Sequence, residues 1–316
     1  MDLDIIPYPQ LVSADSSQLH AQLESALLKK GIVGISQVPG FEQKRKNYLD
    51  AARRFAALPQ HSKNQYAPDR DSGKTEGYEL GAEWFQTQDG QWRKDDKKAS
   101  FYAFVPDRAE NIWPKEMDLR TSYLDLGQLI FQTGKALLSI IGLDKRIQLD
   151  HDHLIGYGRM LHYYKEADSS SLNNNWCGAH FDHGVFTGLI APAYFRDGIE
   201  IEEPQEAGLY IVPTGEITFT GVKADPSILL FQVGEFGQLI SNDQIRATQH
   251  CVKKAGAGIE RFTFALFYIF PAENSYRTIS QSKLTHDERY ARQKDAEGGL
   301  TYQQWADASY ERYRAR

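Results

Sequence analysis

The sequence has only two cysteines, no long apolar run and no block of basic residues. So few cysteines exclude a small fold that depends on several disulfide bonds. No apolar stretch reaches the roughly 18 residues of a membrane-spanning helix, and the first residues lack a basic segment, so we expect a soluble, cytoplasmic protein without membrane contact. The net charge of −6 argues against a partner that is held through nucleic-acid phosphates.

The remaining composition is that of a globular protein with a substantial core. The chain has 316 residues, of which 41% are hydrophobic, enough for one large or two ordinary domains. Helical periodicity predicts helices over 16–30, from about 41 to 58, and over 117–141. Residues 60–116 show neither the period of a helix nor that of a strand, which predicts a long irregular segment.

From residue 150 onward the hydrophobic period changes from 3.6 to 2. Short strands separated by turns are typical of a β-sandwich or barrel. The predicted strands are 159–164, 185–191, 208–213, 216–220, 228–233, 237–241 and 262–270.

Three residues in this second half form a candidate metal site. His180 and Asp182 are two positions apart, so in an extended strand their side chains would leave the same face. His250 can supply a third ligand. Two imidazoles and one carboxylate on one side of an ion leave the other side open, which is the facial triad of non-haem Fe(II) oxygenases.

A His-x-Asp tripeptide is common by chance, so the prediction of a functional site also depends on the strand downstream of His250. Arg261 and Thr263 share one face of a strand that is apolar on both faces further along, which predicts that Arg261 points into the interior. A buried guanidinium needs an anion, and its planar fork suits a carboxylate, to which Thr263 could add a hydroxyl. The alternative is an ion pair with Glu260 or a side chain that reaches solvent.

Other arrangements of ligands are also possible in the sequence. Cys177 and Cys251, with His180 and His250, could form a zinc set. However, Cys251 directly follows His250 and should leave a strand by the opposite face, and Asp182 would have no role. We therefore interpret the cysteines as small apolar residues. A second cluster, His151 and His153, is interpreted as a polar turn because it has no carboxylate and arginine in matching context.

The motif His180-x-Asp182, the pair Ser241-Asn242 before His250, and Arg261-x-Thr263 resemble the isopenicillin N synthase-like family of Fe(II)/2-oxoglutarate-dependent oxygenases. The resemblance implies that His180, Asp182 and His250 hold Fe(II). Arg261 and Thr263 match the family's Arg-x-Ser pair, which holds the distal carboxylate of 2-oxoglutarate. Tyr164 matches a further cosubstrate-binding tyrosine, and His162 stands where plant members have asparagine.

The resemblance also implies a fold that is mainly β with flanking helices. The expected core is a double-stranded β-helix, a jelly-roll or cupin-like barrel, preceded by an N-terminal α/β module. The implied segments are 1–116 for that module and a substrate-side loop, 117–149 for a backbone helix, 150–284 for the catalytic barrel and 285–316 for a helical tail, all in one compact unit. The turn 253–258 predicts that His250 and Arg261 lie on neighbouring strands.

The function implied is an oxygenase that uses Fe(II), O2 and 2-oxoglutarate, releases succinate and CO2, and hydroxylates a small or mid-sized organic molecule. Tyr78, Phe195 and Arg196 are candidate substrate contacts. Three alternatives stay open: an oxidase of the same family that does not use 2-oxoglutarate, a metal-binding cupin-like protein, and a zinc hydrolase. In the oxidase, the Arg-x-Ser pair would bind the substrate's own carboxylate or another small anion.

Overall fold

Ten strands form one large sheet, and four strands form a smaller sheet that packs against it. The structure is a computed structural model that describes residues 1–13, 17–81, 84–86, 92–94, 96–143, 153–166, 175–223, 225–280, 282 and 299–314. The helices are α1 (Tyr8–Leu11), α2 (Ser17–Lys29), α3 (Phe41–Ala56), α4 (Gln60–Asn64), α5 (Arg120–Ile140), α6 (Glu235–Ile240) and α7 (Tyr302–Arg314). None of the helices in these ranges has both the length and the apolar character needed to cross a membrane.

The strands, in chain order, are β1 (Ile5–Pro7), β2 (Ile32–Ser36), β3 (Gly77–Leu80), β4 (Trp84–Gln86), β5 (Trp92–Lys94), β6 (Lys98–Val105), β7 (Ile155–Tyr163), β8 (Asn175–His180), β9 (Phe186–Ile190), β10 (Ala193–Arg196), β11 (Ile199–Ile201), β12 (Gly208–Ile211), β13 (Thr220–Val222), β14 (Leu229–Val233), β15 (His250–Lys253), β16 (Ile259–Ile269), β17 (Ser275–Tyr276) and β18 (Leu300–Thr301). The large sheet has the order β1-β2-β14-β9-β16-β7-β6-β3, and β10 pairs with both β16 and β11. The smaller sheet has the order β13-β12-β15-β8.

The two faces of the large sheet have different partners. The outer face packs on α3 and α5, where Phe264 of β16 meets Tyr48 at 5.0 Å and Tyr123 at 4.9 Å between ring centroids. The inner face packs on the smaller sheet, where Tyr163 of β7 meets Trp176 of β8 at 5.4 Å. Because paired residues of antiparallel strands share a face, the register decides which side chains reach the interior between the sheets.

The predicted double-stranded β-helix architecture is confirmed, with the three predicted long helices close to their expected bounds. The large sheet contains strands from more than one of the segments predicted from the sequence. Its strands β1, β2, β3 and β6 precede residue 117, and its other strands follow it. The division into those segments stays a prediction. In the described tail, α7 buries Tyr302 and Trp305 as expected; residues 283–298 lie outside the described residues, as does His151 of the second histidine cluster.

Several predictions of local structure were wrong; residues 216–220, for example, are not a strand except for Thr220, which begins β13. Residues 60–116 are not one irregular segment, because β3 and β6 extend the large sheet; β6 is covered on both faces and so lacks a period of 2. Residues 237–241, predicted as a strand, belong mostly to α6, whose residues are all buried and show no stripe. His250 and Arg261 do not lie on neighbouring strands, since β15 pairs with β8 and β12 while β16 pairs with β7, β9 and β10.

Candidate metal centre and cosubstrate site

His180, Asp182 and His250 come together at one end of the smaller sheet. His180 ends β8 and pairs directly with His250, the first residue of β15, so that their ring centroids are 4.1 Å apart. Asp182 lies just after β8 rather than in a strand. Its Oδ1 is 3.7 Å from Nε2 of His180 and 3.8 Å from Nε2 of His250. Within the described residues, these three form a group whose ligand atoms all lie within 4.8 Å of one another.

The backbone fixes which ring nitrogen of each histidine faces Asp182. Nδ1 of His180 lies 2.8 Å from the carbonyl of Gly178, and Nδ1 of His250 lies 3.1 Å from the carbonyl of Thr248. If each Nδ1–H donates to that carbonyl, each Nε2 keeps its lone pair for a metal. The buried amide of Gln232 lies 2.6 Å from Nδ1 of His250; with Nδ1 protonated, the amide would accept from it through its oxygen, which has no other partner among the described residues.

The charges of the cluster also suit a cation. Burial raises the pKa of Asp182, but the nearby His250 and His180 and the Thr187 hydroxyl outweigh it, so the pKa is lowered and Asp182 is ionised at neutral pH. Burial and the neighbouring His180 lower the pKa of His250 to about 4. Burial also lowers that of His180, but Cys177, Asp182 and the Gly178 carbonyl raise it to about 10. A divalent cation would displace the proton that His180 then holds.

A tight turn holds the loop that carries Asp182. The N–H groups of residues 234–237 donate to the carbonyls of residues 182–185, and the bond from Glu235 to the Asp182 carbonyl measures 2.7 Å. The indole N–H of Trp305 donates to the His183 carbonyl at 3.0 Å. The start of α6 and the C-terminal helix α7 therefore fix the backbone on either side of the candidate ligand.

We predict that Gly234→Ala disrupts this loop. A Cβ at Gly234 would lie 2.2 Å from the carbonyl oxygen of Gly184 and 2.9 Å from that of Asp182, so backbone would have to move. We expect a loss of at least about 2 kcal/mol in the free energy of unfolding, as for other overpacked sites. Gly256→Ala is the control, since a Cβ there meets nothing within 4 Å. Thermal melts of the two variants check this, and equal melting temperatures would contradict it.

Arg261 has the surroundings expected of a residue that binds an anion. Its side chain is buried, and neither Nε nor Nη1 has a hydrogen-bond partner among the described residues. The guanidinium carbon lies 5.0 Å from the ring centroid of Tyr163 and 5.9 Å from that of Tyr194. The predicted alternative does not hold: Glu260 bonds His162 at 2.8 Å instead, and the Arg261 side chain does not reach solvent.

Thr263 shares the face of Arg261 and is buried. Its hydroxyl donates to the carbonyl of Ile190 at 3.2 Å. A carboxylate bound to Arg261 would therefore compete with that carbonyl for the Thr263 proton. The structure brings Thr263 to the interior, as the sequence predicts, but with its donor already engaged.

The structure does not bring Tyr164 to Arg261. Tyr163, not Tyr164, is the cross-strand partner of Arg261 in the register of β7 and β16. Tyr164 lies on the outer side, where its hydroxyl is 3.2 Å from that of Tyr78 and its ring is 4.2 Å from that of His162. His162 also stacks on Phe262 at 4.1 Å. The role of Tyr164 stays a prediction, but the tyrosine on the face of Arg261 is Tyr163, one position earlier, because neighbouring residues of a strand point to opposite faces.

We predict that substitutions of Tyr163 and Tyr164 have different effects on the affinity of the protein for 2-oxoglutarate. Tyr163→Phe removes a hydroxyl on the Arg261 face and should weaken 2-oxoglutarate binding about fivefold, the equivalent of one hydrogen bond of about 1 kcal/mol. Tyr164→Phe, the matched control, should leave the affinity within about twofold. Anoxic titrations of Fe(II)-loaded variants with 2-oxoglutarate check this, and a larger effect of Tyr164→Phe would contradict it.

None of the three predicted substrate contacts is brought to the candidate metal ligands. Tyr78 and Phe195 are buried on the outer face, Phe195 against Phe262 at 5.8 Å between centroids. Arg196 is exposed where β10 ends. The reason is that β10 belongs to the large sheet, so that 192–207 is largely a hairpin rather than a loop over the pocket.

The cysteines do not complete a zinc set. Cys177 lies beside the cluster, with Sγ 3.8 Å from Nδ1 of His180, the nitrogen that faces away from Asp182. Cys251 is buried and pairs with Tyr210 of β12. Among the described residues, no cysteine belongs to the group around Asp182.

Comparisons with known proteins agree with this geometry. Residues 3–116 match the model of the family described as "non-haem dioxygenase in morphine synthesis N-terminal". The chain is 25% identical over 255 residues to 1-aminocyclopropane-1-carboxylate oxidase homolog 10 of Arabidopsis thaliana, covering 78% of the chain but 63% of that protein, less than two thirds of its length. It is 23% identical over 288 residues to the 2-oxoglutarate-Fe(II) type oxidoreductase hxnY of Emericella nidulans, covering 84% of the chain and 78% of that protein. The chain is thus similar to this dioxygenase family over residues 3–116 and to these two proteins over most of its own length.

The fold of the chain is that of solved 2OG-Fe(II) oxygenases. A 2OG-Fe(II) oxygenase family protein of Caulobacter crescentus superimposes with a TM-score of 0.73 at 19% identity, over 98% of this chain and 98% of that one. The residues present fit the metal and cosubstrate after which the family is named. Two imidazoles present Nε2 to one carboxylate oxygen, and a buried arginine in the same interior has two N–H groups without partners among the described residues.

Proposed function

We propose that this chain is an Fe(II)- and 2-oxoglutarate-dependent oxygenase that hydroxylates a small or mid-sized organic molecule. His180, Asp182 and His250 would hold Fe(II). Arg261 would hold the distal carboxylate of 2-oxoglutarate, with Tyr163 and Thr263 beside it. Fe(II), 2-oxoglutarate and O2 together supply the oxidising chemistry, in which one oxygen atom enters succinate as CO2 leaves and the other enters the substrate.

The observation that carries this proposal is the buried guanidinium of Arg261, whose Nε and Nη1 have no hydrogen-bond partner among the described residues. Burying a charged group without partners costs several kcal/mol, so such a group is retained where a ligand completes it. A dicarboxylate can satisfy Arg261 with one end and a metal with the other. The remaining residues of the chain bind and orient the ligands and exclude water.

The surroundings of Arg261 favour a carboxylate over a bulkier group. The rings of Tyr163 and Tyr194 flank the guanidinium and limit the space around its planar fork. Tyr194 is itself held by Glu203, whose carboxylate lies 3.3 Å from the Tyr194 hydroxyl. Glu203 in turn pairs with Lys223 at 3.5 Å and also attracts the Arg261 guanidinium.

An anoxic binding experiment tests the proposal. The protein is loaded with Fe(II), 2-oxoglutarate is added without O2, and the weak visible charge-transfer band of a chelated 2-oxo acid is recorded. We expect the band with the wild-type protein and succinate release once O2 is admitted. Fe(II) binding without a band would contradict the use of 2-oxoglutarate and favour the family oxidase. Retention of zinc through mild chelation, without O2 uptake, would contradict the oxygenase as a whole.

A further inference from the structure

The two oxygens of Asp182 have different neighbours. Oδ1 faces Nε2 of both histidines, at 3.7 and 3.8 Å. Oδ2 accepts a hydrogen bond of 2.5 Å from the hydroxyl of Thr187. A bond of this length from a hydroxyl to a carboxylate is of the strong, charge-assisted kind. The carboxylate is thus turned so that a single oxygen points at the candidate metal position.

Thr187 is itself held rigidly. It lies in β9, is 1% exposed, and pairs with Gln232 of β14 on one side and with Phe267 of β16 on the other. A β-branched side chain in the middle of a sheet has little rotamer freedom, so its hydroxyl has a fixed direction. Other buried threonines use the backbone instead: Thr133 of α5, also 1% exposed, donates to the Leu129 carbonyl at 2.9 Å. Thr187 donates to a candidate metal ligand.

We propose that Thr187 is a positioning residue that holds Oδ2 of Asp182, so that the carboxylate binds the metal through Oδ1 alone. This inference rests on the proposed metal role of Asp182. A carboxylate that used both oxygens would take a further coordination position, one needed for the two donor atoms of a 2-oxo acid and for O2. Holding Oδ2 in the protein keeps that position available and orients the ligand before the metal arrives.

The test compares Thr187→Val with Thr187→Ser in the full chain. Valine keeps the shape of threonine and removes the hydroxyl, while serine keeps the hydroxyl. The measurement is the dissociation constant of Co(II), as an O2-stable probe, by competition with a chromophoric chelator and without 2-oxoglutarate. We expect Thr187→Val to weaken Co(II) binding at least about tenfold, the lower range for partners of a metal ligand. Thr187→Ser should stay within about threefold of the wild type.

Thr133→Val is the matched control for losing a buried hydroxyl. Its melting temperature should fall while its Co(II) affinity stays that of the wild type. A Thr187→Val protein that binds Co(II) as tightly as the wild type would overturn the proposal, as would a Thr187→Ser protein that binds as weakly as Thr187→Val. Should Thr187→Val fail to fold, Thr187→Ala takes its place in the same comparison.

The same experiment separates this inference from the proposed function. If the wild-type protein does not bind Co(II), then the metal role of the cluster fails and the role of Thr187 fails with it. If the wild type binds Co(II) and all Thr187 variants bind it equally, then only the positioning role is overturned, and the oxygenase proposal stands.

Discussion

Asp182→Ala should abolish Fe(II)-dependent turnover. Asp182 supplies the only carboxylate of the three-residue group in the described chain, and its Oδ1 lies between the two imidazoles. Removing a partner that only touches a metal ligand costs about 10–100-fold in affinity or activity, so loss of a ligand should cost more than about 100-fold. Two measurements check this: the rate of succinate release at saturating Fe(II), and the dissociation constant of Co(II). Full activity of this variant would refute the metal assignment.

His183→Ala is the matched control for Asp182→Ala. His183 is the next residue in the chain but lies outside the group that can hold a metal, and its carbonyl rather than its side chain accepts the bond from Trp305. We expect its Co(II) affinity to stay within about threefold of the wild type, well below the loss for a ligand partner. A loss as large as that of Asp182→Ala would show that any change in this loop removes the metal.

Arg261→Leu should remove cosubstrate binding while leaving metal binding intact. A guanidinium can give a carboxylate two charge-assisted hydrogen bonds, each about 1.5–3 kcal/mol, so we expect 2-oxoglutarate affinity to fall at least about 100-fold. The anoxic charge-transfer band is the readout, and Co(II) affinity without 2-oxoglutarate is the internal control. Arg261→Lys keeps the charge and loses the planar fork, so its affinity for 2-oxoglutarate should lie between those of the wild type and Arg261→Leu. An unchanged band in Arg261→Leu would contradict the assignment.

The same substitution should not destabilise the fold. In the protein alone, the buried Nε and Nη1 of Arg261 have no partners among the described residues, so leucine removes a desolvation cost and adds apolar contact. We expect the melting temperature of Arg261→Leu to equal or exceed that of the wild type, while 2-oxoglutarate no longer raises it. A residue retained for packing would give the opposite result, with a lower melting temperature and unchanged binding.

Several features were predictable because they depend on chemistry that is local in sequence. The residue types of His180, Asp182 and His250 predict a metal site, and the structure brings the three side chains together; a strand apolar on both faces buries Arg261 wherever it lies in the sheet. Long helices such as α5 are visible as a period of 3.6. The positions of Tyr164 and of the predicted substrate contacts relative to Arg261 and the candidate ligands were not predictable, because they depend on the partner of each strand as well as on its pattern.

Residues 237–241 show a second reason why secondary structure could not be predicted from the sequence pattern. The chain here is apolar and fully buried, so neither a period of 2 nor one of 3.6 appears. The segment became α6 because its first N–H groups bind the carbonyls of the Asp182 loop, a contact between segments about 50 residues apart. Gly234 and Gly237 were the available signal, since the backbone of the Asp182 loop comes so close to them that neither position has room for a Cβ.

The sequence by itself predicted the three candidate ligands and the burial of Arg261, and it carried the resemblance to the oxygenase family. Only the tertiary structure decided that Tyr163 rather than Tyr164 faces Arg261, that β15 and β16 belong to different sheets, and that Thr187 holds Oδ2 of Asp182. The physical reason is the two-residue period of a strand. Which face a side chain occupies depends on cross-strand register, and register is set by partners distant in the chain, so an error of one position sends a residue to the wrong side of the sheet.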